Sequence, residues 1–143
     1  MRGVSIAGFA LMGAGVVGLF YSRAILSTSP IVWGVQVVAV ALMLWARATF
    51  GRRSFHAAAD PTEGGLVTTG PYRFIRHPIY TAACLFCFAG ILGTPSPLAF
   101  GSGGLLLVGA VLRMLAEERL LIERYPDYRA YASRTRRMIP FVF

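Results

Sequence analysis

Charged side chains are scarce in this sequence, and lysine is absent from it altogether. Only 14% of the 143 residues are charged, whereas 56% are hydrophobic, and the mean hydropathy is +0.62. A soluble domain of this size rarely combines so few charges with so much apolar sequence. The composition therefore excludes an ordinary soluble domain and favours an integral membrane protein.

Metal ligands and reactive thiols are also few, with two cysteines and two histidines in the whole chain. Cys84 and Cys87 match a C-x-x-C pattern, but they lie inside an apolar segment. Redox or metal chemistry requires an exposed, ionised thiol or further ligands. We therefore expect both cysteines to be buried and inert, and we expect no metal site. His56 has no obvious partner and is interpreted as a solvated residue at the membrane interface.

The apolar residues are gathered into four segments, at residues 3–21, 30–46, 79–93 and 97–115. A helix needs roughly 20 apolar residues to cross about 30 Å of hydrocarbon. The first, second and fourth segments come close to that length. The shorter third segment is expected either to reach only part of the way or to begin within the headgroups. The first segment follows an arginine, as in a secretory signal, but no clear cleavage site follows it. We interpret it as a retained membrane helix.

These segments predict an all-α fold: a membrane bundle of about four transmembrane helices with a C-terminal helical tail, all within one domain at residues 1–143. No strand pattern is present. The G-x-G-x-x-G match at residues 13–18 therefore lacks the strand that a Rossmann site requires. It suggests instead a stripe of small residues, Ala10, Ala14 and Gly18, suited to close helix packing.

Arginine supplies all 14 basic residues, and the net charge is +8. Arg23 is the single arginine between the first two segments, and the others lie on one side of the membrane if both termini share that side. Because positive residues accumulate in the cytoplasm, we predict cytoplasmic N and C termini. A nucleic-acid partner is disfavoured, because so much of the chain consists of lipid-facing helices.

Two polar regions remain on the predicted cytoplasmic side. Residues 47–77 are rich in turn-forming residues and predict an irregular loop. The tail continues the fourth helix until Pro126, after which "PDYRAYASRTRR" predicts a short amphipathic helix that Pro140 ends. Only "TPSP" separates the third and fourth segments, so they form a hairpin. That hairpin brings "GPYRFIRHPIY" near "EERLL".

Cations cluster just before the third helix, for which Pro78 is a suitable first residue. Arg73, Arg76 and His77 lie at this helix end, which already carries a partial positive charge. Such an arrangement indicates a bound anion, either a lipid phosphate or part of a cofactor.

Two adjacent acids, Glu117 and Glu118, face these cations across the hairpin. One interpretation is local pairing with arginines such as Arg113. The other is a site for a zwitterion, in which an amino-acid carboxylate meets the cations and its ammonium group meets the glutamates. Nearby tyrosines can add stacking or cation–π contacts.

Four motifs follow one another in the second half of the chain. They are G-P-Y-R-x-x-R-H-P-x-Y at residues 70–80, E-E-x-x-L at 117–121, Y-x-x-Y at 128–131 and T-x-R-x-I-P at 135–140. Together, over about residues 66–141, they resemble the isoprenylcysteine carboxyl methyltransferase family and its phospholipid methyltransferase relatives. One departure is Tyr125-Pro126, where the family pattern has Phe-Gly. Residues 1–50 add two membrane helices.

The resemblance implies methyl transfer from S-adenosylmethionine, without a Rossmann domain, to a lipophilic or membrane-associated acceptor such as a membrane lipid. It implies a cofactor pocket formed by Gly70, Pro71, Tyr72, Arg76, His77, Tyr80, Glu117, Glu118, Tyr128 and Tyr131. Arg137 and Glu118 are the implied catalytic residues, with Arg137 at the reacting end, where it can orient a carboxylate. Carboxylate, amine and thiol acceptors all stay open, and so does the oligomeric state.

Two other functions are compatible with the sequence. Sterol reductases have a related membrane half that binds a nicotinamide cofactor, although this chain leaves little room for their substrate half. The second alternative is a non-enzymatic membrane protein that holds anionic lipid through its arginines. Such a protein should tolerate the loss of Glu117 and Glu118, whereas a cofactor site should not.

Overall fold

The computed structural model describes residues 2–51 and 65–139. Five α-helices lie within these ranges, together with a 3₁₀ helix at Gly70–Arg73. They are α1 (Arg2–Tyr21), α2 (Pro30–Phe50), α3 (Pro78–Gly93), α4 (Pro97–Arg124) and α5 (Tyr128–Arg134). The described part of the chain holds no strand, only an isolated bridge between Ile75 and Arg136. The all-α prediction is confirmed.

Helices α1, α2 and α4 are long and apolar enough to cross a membrane, judged by length and composition. Helix α3 has 16 residues. At about 1.5 Å per residue it spans about 24 Å, which is less than the hydrocarbon core. This agrees with the prediction that the third segment reaches only part of the way.

Proline and serine set the helix starts. Pro30, Pro78 and Pro97 each occupy the first turn of their helices, where a missing N–H costs nothing. Ser96 also caps α4, since its hydroxyl accepts a hydrogen bond from the backbone N–H of Ala99 at 3.1 Å.

The helix ends differ in part from the predictions. Helix α4 ends at Arg124, just before Pro126, as predicted. Helix α2 runs on to Phe50, so the loop begins later than residue 47. Helix α5 stops at Arg134 rather than continuing to Pro140, because Thr135 is extended and the chain then pairs with residues 74–77. Pro140 and His56 lie outside the described residues.

Close packing of α1 on α4 depends on glycine, and Gly18 is the member of the predicted stripe that takes part, since a Cβ there would collide with the Ser102 side chain. A Cβ atom at Gly8 would lie 2.7 Å from the carbonyl oxygen of Gly109, and one at Gly15 would lie 2.7 Å from that of Ser102. Ala10 and Ala14 are exposed instead. The stripe was wrong for those two alanines, because an apolar helix carries small residues on several faces and spacing alone does not select one.

Helices α2 and α3 pack together around a buried amide that was not singled out in the sequence. Gln36 is 4% exposed. Its Nε2 donates to the carbonyl oxygens of Ile25 at 2.6 Å and Phe86 at 3.3 Å. Because an unpaired amide is costly in hydrocarbon, these bonds fix α2 against both the preceding loop and α3.

Cys84 and Cys87 are buried and free within α3, as predicted. No group of three or more potential metal ligands occurs in residues 2–51 and 65–139.

The tail returns to the start of α3 through backbone hydrogen bonds. The N–H of Arg76 donates to the carbonyl oxygen of Arg136 at 2.7 Å, and that of His77 donates to the carbonyl oxygen of Arg137 at 2.9 Å. In the other direction, the N–H of Arg136 donates to the carbonyl oxygen of Phe74 at 3.1 Å. We call residues 135–139 the strap, because they tie the C-terminal tail to the segment that precedes α3.

Candidate functional site

Glu118 lies where α3, α4, α5 and the strap meet. It is 7% exposed although it is charged. Its Oε1 accepts from the Nε of Arg76 at 2.8 Å, and its Oε2 accepts from the Nε of Arg137 at 3.0 Å. A buried carboxylate needs such partners to offset the loss of hydration. The predicted meeting of the two motifs across the hairpin is therefore confirmed.

Arg76 holds three parts of the chain together through one guanidinium group. Besides Glu118, it donates through Nη1 to the carbonyl oxygens of Ala132 at 2.9 Å and Thr135 at 2.6 Å. Its side chain is only 9% exposed. The planar fork of arginine suits several acceptors at fixed angles, which the single ammonium group of lysine cannot reproduce.

Glu117 belongs to a second group of polar side chains in contact, which it forms with Tyr80 and Arg113. The hydroxyl of Tyr80 donates to Oε1 of Glu117, and Nε of Arg113 donates to the hydroxyl oxygen of Tyr80. Arg113 lies one helical turn before Glu117, with Nε 3.2 Å from its Oε1. The guanidinium of Arg113 also lies 5.3 Å from the ring centre of Phe9 on α1. The local pairing of Glu117 with Arg113 is therefore present.

Two buried polar atoms beside Glu118 have no hydrogen-bond partner in the described part of the chain, namely Nε2 of His77 and the hydroxyl of Tyr128. His77 is 6% exposed and Tyr128 is 1% exposed. The Nε2 of His77 comes within 3.4 Å of Glu118 Oε1 but falls short of hydrogen-bond geometry. A buried polar atom without a hydrogen bond lowers stability by about 1–3 kcal/mol, so each of these atoms calls for an explanation.

The tyrosines of α5 are neutral donors. Burial raises the pKa of the Tyr128 phenol above its ordinary value, and the negative charge of Glu118 raises it further. Burial likewise raises the pKa of Tyr131 to about 12. Tyr131 already uses its hydroxyl, which donates to the carbonyl oxygen of Tyr72 at 2.6 Å.

The Gly70–Tyr72 stretch packs on the end of α2. Gly70 has φ +57°, a left-handed conformation, and a Cβ there would collide with the side chain of Thr49. Pro71 and Tyr72 are buried. The ring of Tyr72 lies 5.5 Å from that of Phe50. Glycine is therefore required at position 70 for conformation and for space.

A family model described as phospholipid methyltransferase matches residues 30–128. The chain belongs to the phospholipid methyltransferase family. The resemblance seen in the sequence motifs is thereby confirmed.

Two curated relatives share part of the sequence with this family member. It is 36% identical over 86 residues to the nickel-cobalt-cadmium resistance protein NccN of Alcaligenes xylosoxydans xylosoxydans, covering 52% of this chain and 36% of the relative. It is also 36% identical over 86 residues to the cobalt-zinc-cadmium resistance protein CzcN of Cupriavidus metallidurans, covering 52% and 35%. The chain thus spans about a third of the length of both relatives. No solved structure matches it.

Most of the residues predicted for the site in this phospholipid methyltransferase family member lie together around the two glutamates. They are Arg76, His77, Tyr80, Glu117, Glu118, Tyr128 and Arg137. Gly70, Pro71 and Tyr72 lie in the 3₁₀ helix, where Tyr72 packs on Phe50 of α2 and its carbonyl oxygen accepts a hydrogen bond from Tyr131 of α5. Arg137 contacts Glu118 directly, so the two residues are not independent.

Sequence reasoning missed the role of Thr135. Its backbone and side-chain oxygens both lie near Nη1 of Arg76, at 2.6 and 3.4 Å. Its hydroxyl donates to the carbonyl oxygen of Tyr131 at 2.8 Å. The available signal was its place as the first residue of the T-x-R motif.

Proposed function

We propose that this protein transfers a methyl group from S-adenosylmethionine to a lipophilic or membrane-associated acceptor at the cytoplasmic face. The observation that carries the proposal is the Tyr128 hydroxyl, buried beside Glu118 without a hydrogen bond, together with His77 Nε2, which lies 3.4 Å from Glu118 Oε1 and also makes no hydrogen bond. A ligand carboxylate could accept from both atoms, and a cationic group on the same ligand could meet Glu117. The amino-acid part of the cofactor has that character.

The donor set fits such a group. Tyr128 and His77 can donate to a carboxylate, and Arg137, whose side chain is 36% exposed, adds a cation beside them. Glu117, whose side chain is 24% exposed, can accept from an ammonium group. Gly70, Pro71, Tyr72, Tyr80 and Tyr131 then complete the walls of the pocket.

S-adenosylmethionine supplies a methyl group activated by its sulfonium. Such a transfer needs alignment and a dry site more than covalent participation by the protein. Arg76 holds the strap and α5 against α4, which keeps water away from Glu118. Glu118 fixes the Arg137 guanidinium, which can then orient a carboxylate acceptor through two parallel hydrogen bonds.

The acceptor is proposed to enter sideways from the lipid, because α3 and α4 expose apolar side chains such as Leu85 and Leu115. A lipid-soluble carboxylate, amine or thiol can reach the site in this way. An amine would have to be neutral when it attacks, so a nearby carboxylate or phenol would matter more for that acceptor.

The two alternatives have less support. Family membership favours methyl transfer over nicotinamide binding. A lipid scaffold would have no use for Arg76 and Arg113, which are largely buried against Glu118 and Glu117 and are therefore not available to phosphate.

The arginine distribution gives a topological prediction, with both termini in the cytoplasm. A reporter fused after Phe143 should be active in the cytoplasm. A label placed near Ser27, at the exposed Thr28, should react with reagents added from outside. A C-terminus found outside would place the site in the wrong compartment for a cytoplasmic cofactor. The matched check is a label at Thr94, which lies in the other predicted external loop.

Removing only the unpartnered hydroxyl gives a second prediction. Tyr128→Phe should leave the free energy of unfolding unchanged or raise it, because an unsatisfied buried group disappears. The same variant should bind S-adenosylhomocysteine more weakly by about 1 kcal/mol. Tyr131→Phe is the contrast for stability, because it leaves the Tyr72 carbonyl oxygen without its donor and should cost about 1 kcal/mol. Unchanged affinity in Tyr128→Phe would remove its hydroxyl from the pocket.

Methyl transfer itself is tested with S-adenosylmethionine labelled in the methyl group. Membranes containing the protein should incorporate label into solvent-extracted lipid or another membrane-bound acceptor. Membranes containing the Arg137→Lys variant should incorporate much less. Equal labelling of both membranes and of membranes without the protein would contradict the proposed activity.

A further inference from the structure

Four exposed side chains lie on the outer side of two paired segments. One segment directly precedes α3, and the other is the strap. Phe74 is 51% exposed and Ile139 is 53% exposed. Arg73 and Arg136 are exposed beside them. We call these four residues the strap face.

The strap face is formed by tertiary pairing rather than by one local segment. On the inner side of the same segments, Ile75, Thr135 and Met138 are buried. The bond from the Arg136 N–H to the Phe74 carbonyl oxygen, at 3.1 Å, holds the outer residues of the two segments side by side. The Arg73 guanidinium lies 5.1 Å from the Phe74 ring centre, so a cation rests on the exposed ring.

The position of the strap face relative to the membrane limits what it can contact. Helix α3 begins at Pro78 and is apolar along its length. With the apolar length of α3 placed in the hydrocarbon, the residues directly before it come to the level of the lipid headgroups. Large apolar side chains together with arginines are the composition of surfaces that bind at this boundary.

The charged residues that neighbour the strap face in the sequence are all positive. Residues 65–76 and 128–139 contain arginines and no acidic residue. The partner of the strap face must therefore tolerate or supply negative charge, and anionic headgroups attract basic residues at this depth. Scattered single apolar residues need no explanation, but two of them flanked by cations at the membrane boundary do.

We propose that the strap face binds anionic phospholipid headgroups of the surrounding leaflet. Phe74 and Ile139 contact the upper acyl chains, while Arg73 and Arg136 contact lipid phosphates. Binding holds the strap against the start of α3 and so maintains the position of Thr135 and Arg137 at the site. The proposal goes beyond methyl transfer and does not depend on it.

The test uses the full chain in lipid nanodiscs that hold one copy each. One set contains phosphatidylcholine alone, and the other contains phosphatidylcholine with phosphatidylglycerol. Hydrogen exchange of residues 134–139 is measured by mass spectrometry. Exchange should be at least about fivefold slower in the anionic discs, as expected for two arginines near an anionic surface.

Two matched variants remove the same amount of charge from different places. Arg73→Gln/Arg136→Gln should lose the lipid-dependent slowing. In both lipids it should exchange at the rate of the wild type in phosphatidylcholine discs, and this equal rate would show that its fold is intact. Arg124→Gln/Arg129→Gln, which removes two exposed arginines from α4 and α5, should keep the slowing.

Three results would overturn the proposal. The first is equal exchange of the wild type in both lipids, and the second is equal loss of slowing in both variants, which would indicate net charge alone. The third comes from a parallel set of anionic discs that hold two copies. Slowing in these discs but not in the single-copy discs would assign the surface to a second copy of the chain. Because the readout is exchange rather than catalysis, failure of the methyltransferase proposal leaves these outcomes distinct.

Discussion

Arg76→Ala should destabilise the site by about 3–5 kcal/mol, the usual cost of removing one partner from a buried ion pair. The variant leaves Glu118 buried with one fewer cation and frees the carbonyl oxygens of Ala132 and Thr135. We expect the free energy of unfolding in detergent to fall and hydrogen exchange in α5 and the strap to quicken.

The control for this prediction is Arg129→Ala, which removes an exposed arginine from α5. Exposed substitutions of this kind usually change stability by about 0.5 kcal/mol or less. If Arg76→Ala and Arg129→Ala were equally stable, the Arg76 contacts would not hold the tail in place.

Arg137→Lys should lower single-turnover methylation by about a hundredfold while cofactor affinity stays nearly normal. Lysine keeps the charge but loses the planar fork, and misplacement of an acceptor by about 1 Å can cost that much in rate. Glu118→Gln should show the opposite pattern, with cofactor affinity as its main loss. Both quantities are measured for both variants, by titration and by single-turnover methylation.

The contact between Arg137 and Glu118 makes this comparison demanding. Because their side chains are joined at 3.0 Å, a change at either residue disturbs the other. If Arg137→Lys lost cofactor binding as fully as Glu118→Gln, the strap would be part of the cofactor-binding site. The assignment of Arg137 to the reacting end would then be wrong.

Local sequence signals were enough to predict the helices and the hairpin. Apolar length predicted the spans, and Pro78 marked the start of α3. The short connection after α3 predicted that Glu117 and Glu118 would meet the residues before α3. These features depend on neighbours in the sequence, so they can be read without a structure.

Long-range backbone contacts could not be predicted in the same way. Any residue can supply the carbonyl oxygens with which Ala132 and Thr135 bind Arg76, so they leave no signature in the sequence. The early end of α5 has the same origin, since pairing of the strap with residues 74–77 outweighs continued helix. The partners of Gln36 also come from two distant segments.

The site around Glu118 is proposed to bind S-adenosylmethionine, and calorimetric titration of the purified protein with S-adenosylhomocysteine tests this most directly. We predict saturable binding with one ligand per chain, weakened by about 1–3 kcal/mol in a folded His77→Ala variant. A parallel titration with a nicotinamide dinucleotide should show no binding. Binding of the dinucleotide but not of S-adenosylhomocysteine, or unchanged affinity in His77→Ala, would contradict the account.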